Sequence, residues 1–428
     1  MSDAIQLGMR EDYGQTSPVV LSPADRRRHL YLVGQTGTGK STALENMMAQ
    51  DAIAGRGFAF IDPHSDSSVK VLGSVPSHRA RHVTYFDPSD SRRAPAFNVL
   101  EGVPPHRRHL VASGIVAAFK GIFPDFFGPR MEFIFYAAAA ALLECENVSL
   151  LSLQRMLIDE RYRSWVVKQV KDPVVRAFWT REFEAHDKKM KAEMVAPILN
   201  KIGPVLMAPQ GRAILGQVKN RIDFRFVMDH GRIFIANLSK GKLGHELANL
   251  LGSLLVSQFQ LAAMSRADMP EHERRDFYLY VDEFASFTSE SFAMILSEAR
   301  KYRLCLTISH QFMSQLRPGI LDAVVGNVGS LVAFRVGHGD AEALASAFER
   351  RFNASTLTGL GNGEVCAKIL SDGRYHEPFL ARTLPPTERG SGQRSVLRSR
   401  QRYAPKRRRV EEKIRQSLGL GGTHRRAA

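Results

Sequence analysis

Cysteine is scarce in this 428-residue chain: Cys145, Cys305 and Cys366 are odd in number and far apart. They fit neither a disulfide framework nor metal-ligand spacing, and a reducing cytoplasm is their natural setting. Long hydrophobic runs are missing too. The longest, Phe133 to Leu143, covers about 11 residues and ends at Glu144, which is too short to span a bilayer. The N-terminal stretch MSDAIQLGMREDYG has no basic segment leading into an apolar one, so it does not read as a secretory leader. A cytoplasmic protein is expected, soluble or peripheral to the inner membrane. Internal repeats are absent as well.

Acidic residues are outnumbered, 43 against 59 Lys and Arg, giving a formal charge of +16. Such an excess points to a polyanionic partner, nucleic acid or an anionic membrane surface. It is concentrated: from Arg382 onward there are 14 Lys and Arg and 3 acidic residues. The rest is ordinary, with 44% hydrophobic and 24% charged residues, as in soluble globular proteins. The length suits one large α/β domain with an embellishment, or two domains.

Short apolar runs that end in glycine or a carboxylate alternate with helical stretches. His29 to Val33 reads as a buried strand, Ser41 to Ala54 as a helix, and GFAFI (57–61) and VTYF (83–86) as strands ending at Asp62 and Asp87. That is the pattern of a mainly parallel sheet whose ligands gather beyond its C-terminal edge. From about 104 to 220 the texture is helical throughout, which predicts an inserted all-α domain. Strands resume with GRIFIAN (231–237), FYLYV (277–281), LCLTIS (304–309), one from Ser330, and a last group between Gly363 and Leu380. The expected organisation is an α/β domain over 1–103 and 221–384, the insertion over 104–220, and a disordered basic tail over 385–428, which has little apolar surface to bury.

Gly34-Gln35-Thr36-Gly37-Thr38-Gly39-Lys40-Ser41 fits G-x-x-x-x-G-K-[ST] in full, between a predicted strand and a predicted helix. Glycines there let backbone N–H groups turn around phosphates at a helix N-terminus. Lys40 is positioned to reach the β- and γ-phosphates of ATP, Ser41 to offer a hydroxyl to Mg²⁺, and Thr42 to add a donor. FYLYV then ends in Asp282-Glu283, where an Asp can hold the magnesium shell while Glu283 polarises water. Gln311, closing the next strand, is a candidate sensor of the γ-phosphate. Arg300, Lys301 and Arg303 end a helix, where cations favour the dipole without any catalytic role; an arginine finger for a neighbouring subunit is the sharper reading.

The ordered set VGQTGTGKST, FIDPHSD, TYFDPSD with FNVL, YLYVDEFASF, EARKYRLCLTISHQ and GNVGSLVAFR resembles the HerA/FtsK-type motor ATPases. It is most like the conjugative coupling proteins of type IV secretion, over most of residues 25–380. The resemblance implies a RecA-like P-loop fold with an inserted all-α domain. It also implies catalytic roles for Lys40, Glu283, Gln311 and a trans-acting Arg300, and Mg-ATP bound by Gly34, Thr36, Gly37, Thr38, Gly39, Lys40, Ser41 and Thr42, with Ser41 and Asp282 toward the metal. Asp62 and His64 match a DPH-type strand end that satisfied loop residues would equally explain. DNA, single-stranded for preference, is the implied substrate of a hexameric ring, with relaxase or secretion-channel proteins as partners. A HerA-like helicase serving a nuclease, and a nucleotide-controlled recruitment or protein-secretion ATPase, are the alternatives.

Coupling proteins of this type usually begin with transmembrane helices and none is visible here, so either a soluble relative or a chain starting after an anchor is expected. Arg92-Arg93, Arg107-Arg108 and Lys188, Lys189 and Lys191 are candidates to line a DNA channel, or are solvated faces. The basic tail could touch DNA, an anionic membrane or an acidic partner.

Overall fold

The computed structural model describes residues 4–12, 14–123, 127–288, 291–387 and 389–418. The chain forms two compact units, the first from Met1–Phe86, Phe224–Ser239 and Leu255–Ser399, the second from Asp87–Asp223, Lys240–Leu254 and Arg400–Ala428.

The strands all lie in the first unit: β1 Ile5–Asp12, β2 Gln15–Leu21, β3 Leu30–Val33, β4 Gly57–Asp62, β5 Val83–Phe86, β6 Ile233–Asn237, β7 Phe277–Val281, β8 Leu304–His310, β9 Ser330–Ala333, β10 Glu364–Lys368, β11 Leu370–Ser371, β12 Arg374–Tyr375 and β13 Phe379–Thr383. β11 and β12 form a small hairpin, and the others build one sheet in the order β2-β1-β13-β10-β9-β3-β8-β7-β4-β6-β5. From β9 to β5 every pairing is parallel. The strands of that stretch are buried at every position, as expected when helices cover both faces of a parallel sheet. This is the α/β, mainly parallel RecA-like core read from the sequence.

The other four strands pair antiparallel. β1 and β2 are a finding beyond the sequence reading, which started its sheet at His29. Their signal is period two: Ile5 and Leu7 on one strand and Val19 and Leu21 on the other are buried in the sheet's core, while intervening positions face outward. The Gly14 turn between them has φ 75°.

The second unit is helical. Its described helices include Arg108–Ile122, Pro129–Leu142, Leu151–Ile158, Glu160–Gln169, Lys188–Met207 and Pro209–Leu215. Aromatic packing holds it: Trp179 lies 4.8 Å from Phe183 and 5.0 Å from Phe178 between ring centroids. Its boundaries differ from those expected. Lys240–Leu254 and the chain from Arg400 belong to it as well.

The described part of the tail differs more. Gln393–Tyr403 and Arg407–Ser417 are helices where disorder was expected, and residues 388 and 419–428 of that expected tail lie outside the described residues. Apolar residues are sparse there, but Val410 and Ile414, four apart, share one buried face, and average composition cannot register such spacing. Helix His245–Ser265 is long and apolar enough by composition to cross a membrane, yet 67% of its most apolar window is buried inside the protein.

Candidate nucleotide site

β3 carries the chain to the C-terminal edge of the sheet, and residues 34–39 turn there before the helix Lys40–Ile53 begins. Gly37 and Gly39 have φ of 80° and 115°, a region costly for any residue with a Cβ. At Gly34 a Cβ would stand 2.6 Å from the Cβ of Phe334. The loop is braced from its flanks. The Gln35 N–H donates to the Arg335 carbonyl at 2.8 Å, and the Gly363 N–H to the Thr38 carbonyl at 2.9 Å. The Thr38 hydroxyl donates to the Gln35 carbonyl at 2.7 Å. Thr36 and Ser41 are exposed and Thr42 is partly exposed, so a ligand can reach them.

Lys40 is buried, and its ammonium donates to the loop carbonyls of Gly34 and Gln35. Burial lowers its pKa, while the charges of Asp282 and Glu283 oppose that shift. The lysine therefore faces both acidic residues electrostatically.

β7 lies between β8 and β4 and delivers those two residues to the same edge. Asp282 is buried and accepts a hydrogen bond from the Ser309 hydroxyl at 2.5 Å. Burial raises its pKa, and the nearby charges of Asp62 and Glu283 add to the rise against the Ser309 bond. Glu283 has φ 48°, a left-handed conformation uncommon for a residue with a side chain. Its Oε1 accepts from the Gln311 amide at 2.6 Å and lies 3.8 Å from His64 Nε2. Burial would raise the Glu283 pKa, but the bonds from His64 and Gln311 and the charges of His64 and Lys40 outweigh it, so the carboxylate is favoured. Two adjacent acids are thus tuned in opposite directions.

Asp62 and His64 divide their roles. Asp62 is satisfied within its loop, accepting the N–H groups of His64 at 2.8 Å and Ser68 at 2.7 Å. His64 instead joins the Glu283 carboxylate, and that bond leads in raising its pKa. Ser309 carried no assigned role in the sequence reading. Its signal is the strand period: two residues before Gln311, it points to the same side of β8.

Arg300 stands apart. It is exposed, in the short turn Ala299–Tyr302 that precedes β8, whereas Gln311 follows the other end of that strand. Six residue steps at about 3.3 Å separate the two ends of β8 by roughly 20 Å. Of the candidate channel cations, several are engaged internally: Arg93 donates to the carbonyls of Arg400 and Ala404, Arg108 pairs with Glu144 and Lys191 with Glu184. Arg92, Lys188 and Lys189 are exposed.

The donor set fits a magnesium nucleotide. A glycine loop opens onto a helix N-terminus, a lysine stands at its base, and Ser41 and Asp282 would hold the ion. Among the described residues no cluster of three or more His, Cys, Asp or Glu could hold a metal by itself. Such a site relies on phosphate oxygens and water, as Mg²⁺ ordinarily does.

No curated protein sequence matches the chain. Among solved structures it is similar to the bacterial conjugative coupling protein TrwBdeltaN70, with 16% identity over 88% of this chain and 89% of that one and a TM-score of 0.63. The plasmid coupling protein TrwB in complex with ADP and Mg²⁺ has 14% identity over 92% and 98% of the two chains and a TM-score of 0.65. VirB4 of Thermoanaerobacter pseudethanolicus has 13% identity over 90% and 98%, with a TM-score of 0.57. Identities this low establish the shared fold. Residues 15–345 match the type IV secretion-system coupling protein DNA-binding domain, and by that match the chain belongs to this family, as a P-loop ATPase of the conjugative coupling-protein type.

Proposed function

We propose that this chain is a DNA translocase, hydrolysing Mg-ATP between neighbouring subunits of a hexameric ring to move DNA toward a type IV secretion channel. Single-stranded DNA, alone or with an attached relaxase, is the cargo, and the work is done in the cytoplasm. The observation that carries this reading is the Glu283 carboxylate, which accepts from the Gln311 amide at 2.6 Å and lies 3.8 Å from His64, beside Asp282 at the sheet edge where the glycine loop opens.

That arrangement suits hydrolysis. Glu283, ionised, orients and polarises the attacking water. Lys40 swings from its loop carbonyls to the β- and γ-phosphates. Ser41 and Asp282 would hold magnesium, which would neutralise phosphate charge when bound. Gln311, bonded to Glu283, senses whether the γ-phosphate is present. Arg300 is too far from its own subunit's site to act there, so its guanidinium serves the neighbour's.

The test is ATP turnover by the purified protein with and without single-stranded and duplex DNA, with Lys40→Ala as the blank and the assembly sized in parallel. Turnover that rises with DNA in a ring-sized species is expected. Turnover indifferent to DNA, in a species that stays monomeric with nucleotide and DNA, would replace the motor with a recruitment or protein-secretion ATPase.

A further inference from the structure

Between Arg389 and Val410 the chain carries nine Lys and Arg and no Asp or Glu. Within that stretch the helix Gln393–Tyr403 has Arg394, Arg398 and Arg402 at four-residue intervals, all exposed. Residues four apart stand over one another on a helix, roughly 6 Å apart along its axis. The row is about 12 Å long, and its spacing is internal to one unbroken helix.

The rotation of this helix is fixed. Ser395 and Ser399 are buried, and the Ser399 hydroxyl accepts the Tyr85 N–H at 2.6 Å and donates to the Tyr85 carbonyl at 3.3 Å. Val396 packs against the core of the sheet. The arginine row is therefore held outward. Arg400, the other basic residue of the helix, is engaged by Asp90 at 2.8 Å.

Guanidinium forks match phosphate oxygens two at a time. An anionic membrane is the other polyanion such a row could meet, but membrane-bound helices bury an apolar face. Here the apolar residues Val396 and Tyr403 are turned inward, and Leu397 is the exposed apolar residue of the helix, at 57%. The segment just before the helix is anchored as well. Arg389 donates to Glu45 at 2.8 Å and to Asn46 at 3.0 Å, both on the P-loop helix.

We propose that Arg394, Arg398 and Arg402 form a contact for the phosphate backbone of DNA, outside the nucleotide site. The proposal rests on the functional reading above only in taking DNA as the partner; it does not need hydrolysis.

The experiment is a salt titration of the full chain binding a fluorescent oligothymidylate. Every phosphate that the protein no longer neutralises takes about 0.7 off the slope of log affinity against log salt for single strands. The variant R394Q/R398Q/R402Q should therefore flatten the slope by about 2, at an unchanged melting temperature. R394K/R398K/R402K, which keeps the charges, should retain the wild-type slope. Should the glutamine variant misfold, Arg398→Gln alone decides, with an expected change of about 0.7.

An unaltered slope in the glutamine variant overturns the proposal. So does a variant that loses binding to phosphatidylglycerol vesicles while holding DNA as before, which would make the row a membrane contact. DNA-stimulated turnover with a slope untouched by the glutamines removes this contact and leaves the motor. Slope flattening without any stimulation of turnover by DNA does the reverse.

Discussion

The two edges of the parallel sheet use charge in opposite ways. Toward the N-terminal edge, opposite charges are locked together. Arg26 and Asp51, both buried, meet at 2.8 Å, with Arg56 at 2.6 Å from the same carboxylate and the Tyr280 hydroxyl donating to it. Arg27 and Arg303 share Asp276. Burial works against both members of the central pair, yet their mutual attraction holds Arg26 above and Asp51 below its ordinary value. At the C-terminal edge Asp62, Asp282 and Glu283 crowd together with like charge, and Lys40 donates to backbone carbonyls. One edge is complete within the chain. The other gathers like charges beside a glycine loop and a helix N-terminus, an arrangement that a cation and a phosphate ligand would balance.

Arg300 is the exception on the completed edge, exposed where Arg26 and Arg27 are paired. If it acts on a neighbouring subunit, Arg300→Ala should cost about 10³-fold in kcat, comparable with the roughly 10²–10⁴-fold expected of Glu283→Gln. ATP binding by the glutamine variant should remain, checked with a fluorescent nucleotide. Mixing decides the geometry: each variant alone is nearly inactive, while random mixed rings regain about a quarter of their interfaces with both groups intact. No recovery on mixing, with mixed rings verified by mass, would return Arg300 to a helix-end cation.

Carboxylate replacements at the two edges should move stability in opposite directions. Asp51→Ala leaves Arg26 buried without its partner and should cost about 3–5 kcal/mol, seen as a lower melting temperature. Asp282→Asn removes a desolvated charge from like neighbours and should raise stability by up to about 1 kcal/mol, while ending turnover. A fall in melting temperature for both would mean that the crowded edge is as self-sufficient as the other.

What could be read from sequence divides along the same line. The P-loop and Asp282-Glu283 could be proposed from short strings at strand ends and Gln311 from its place after the next strand, while the alternating strands and helices announced the parallel sheet. The Ser309–Asp282 and His64–Glu283 contacts could not be read this way, since each joins residues from different strands and depends on the sheet order. The β1–β2 hairpin was missed because its alternation is diluted by polar residues. The tail helices were missed because their basic composition resembles disorder, although Val396, Val410 and Ile414 are spaced to give each helix an inward side.

The smallest expected effect on turnover concerns the His64–Glu283–Gln311 group. Gln311→Ala removes a hydrogen bond to a charged acceptor, worth about 1.5–3 kcal/mol, and kcat should fall by about 10- to 100-fold. The pH response separates the two partners. The Glu283 pKa is lowered from 4.5, so its stabilisation is present above that value and disappears as pH falls through the depressed folded pKa. The His64 pKa is raised from 6.5, so its stabilisation is complete below 6.5 and disappears as pH climbs through the raised folded pKa. Both substitutions, His64→Asn and Gln311→Ala, should move the acid limb of kcat/KM upward, because each removes a group that favours the carboxylate. Only His64→Asn should also abolish the loss of thermal stability on the alkaline side of 6.5. If the acid limb stays put in both variants, Glu283 owes its ionised state to Lys40, and the binding edge is simpler than the hydrogen bonds imply.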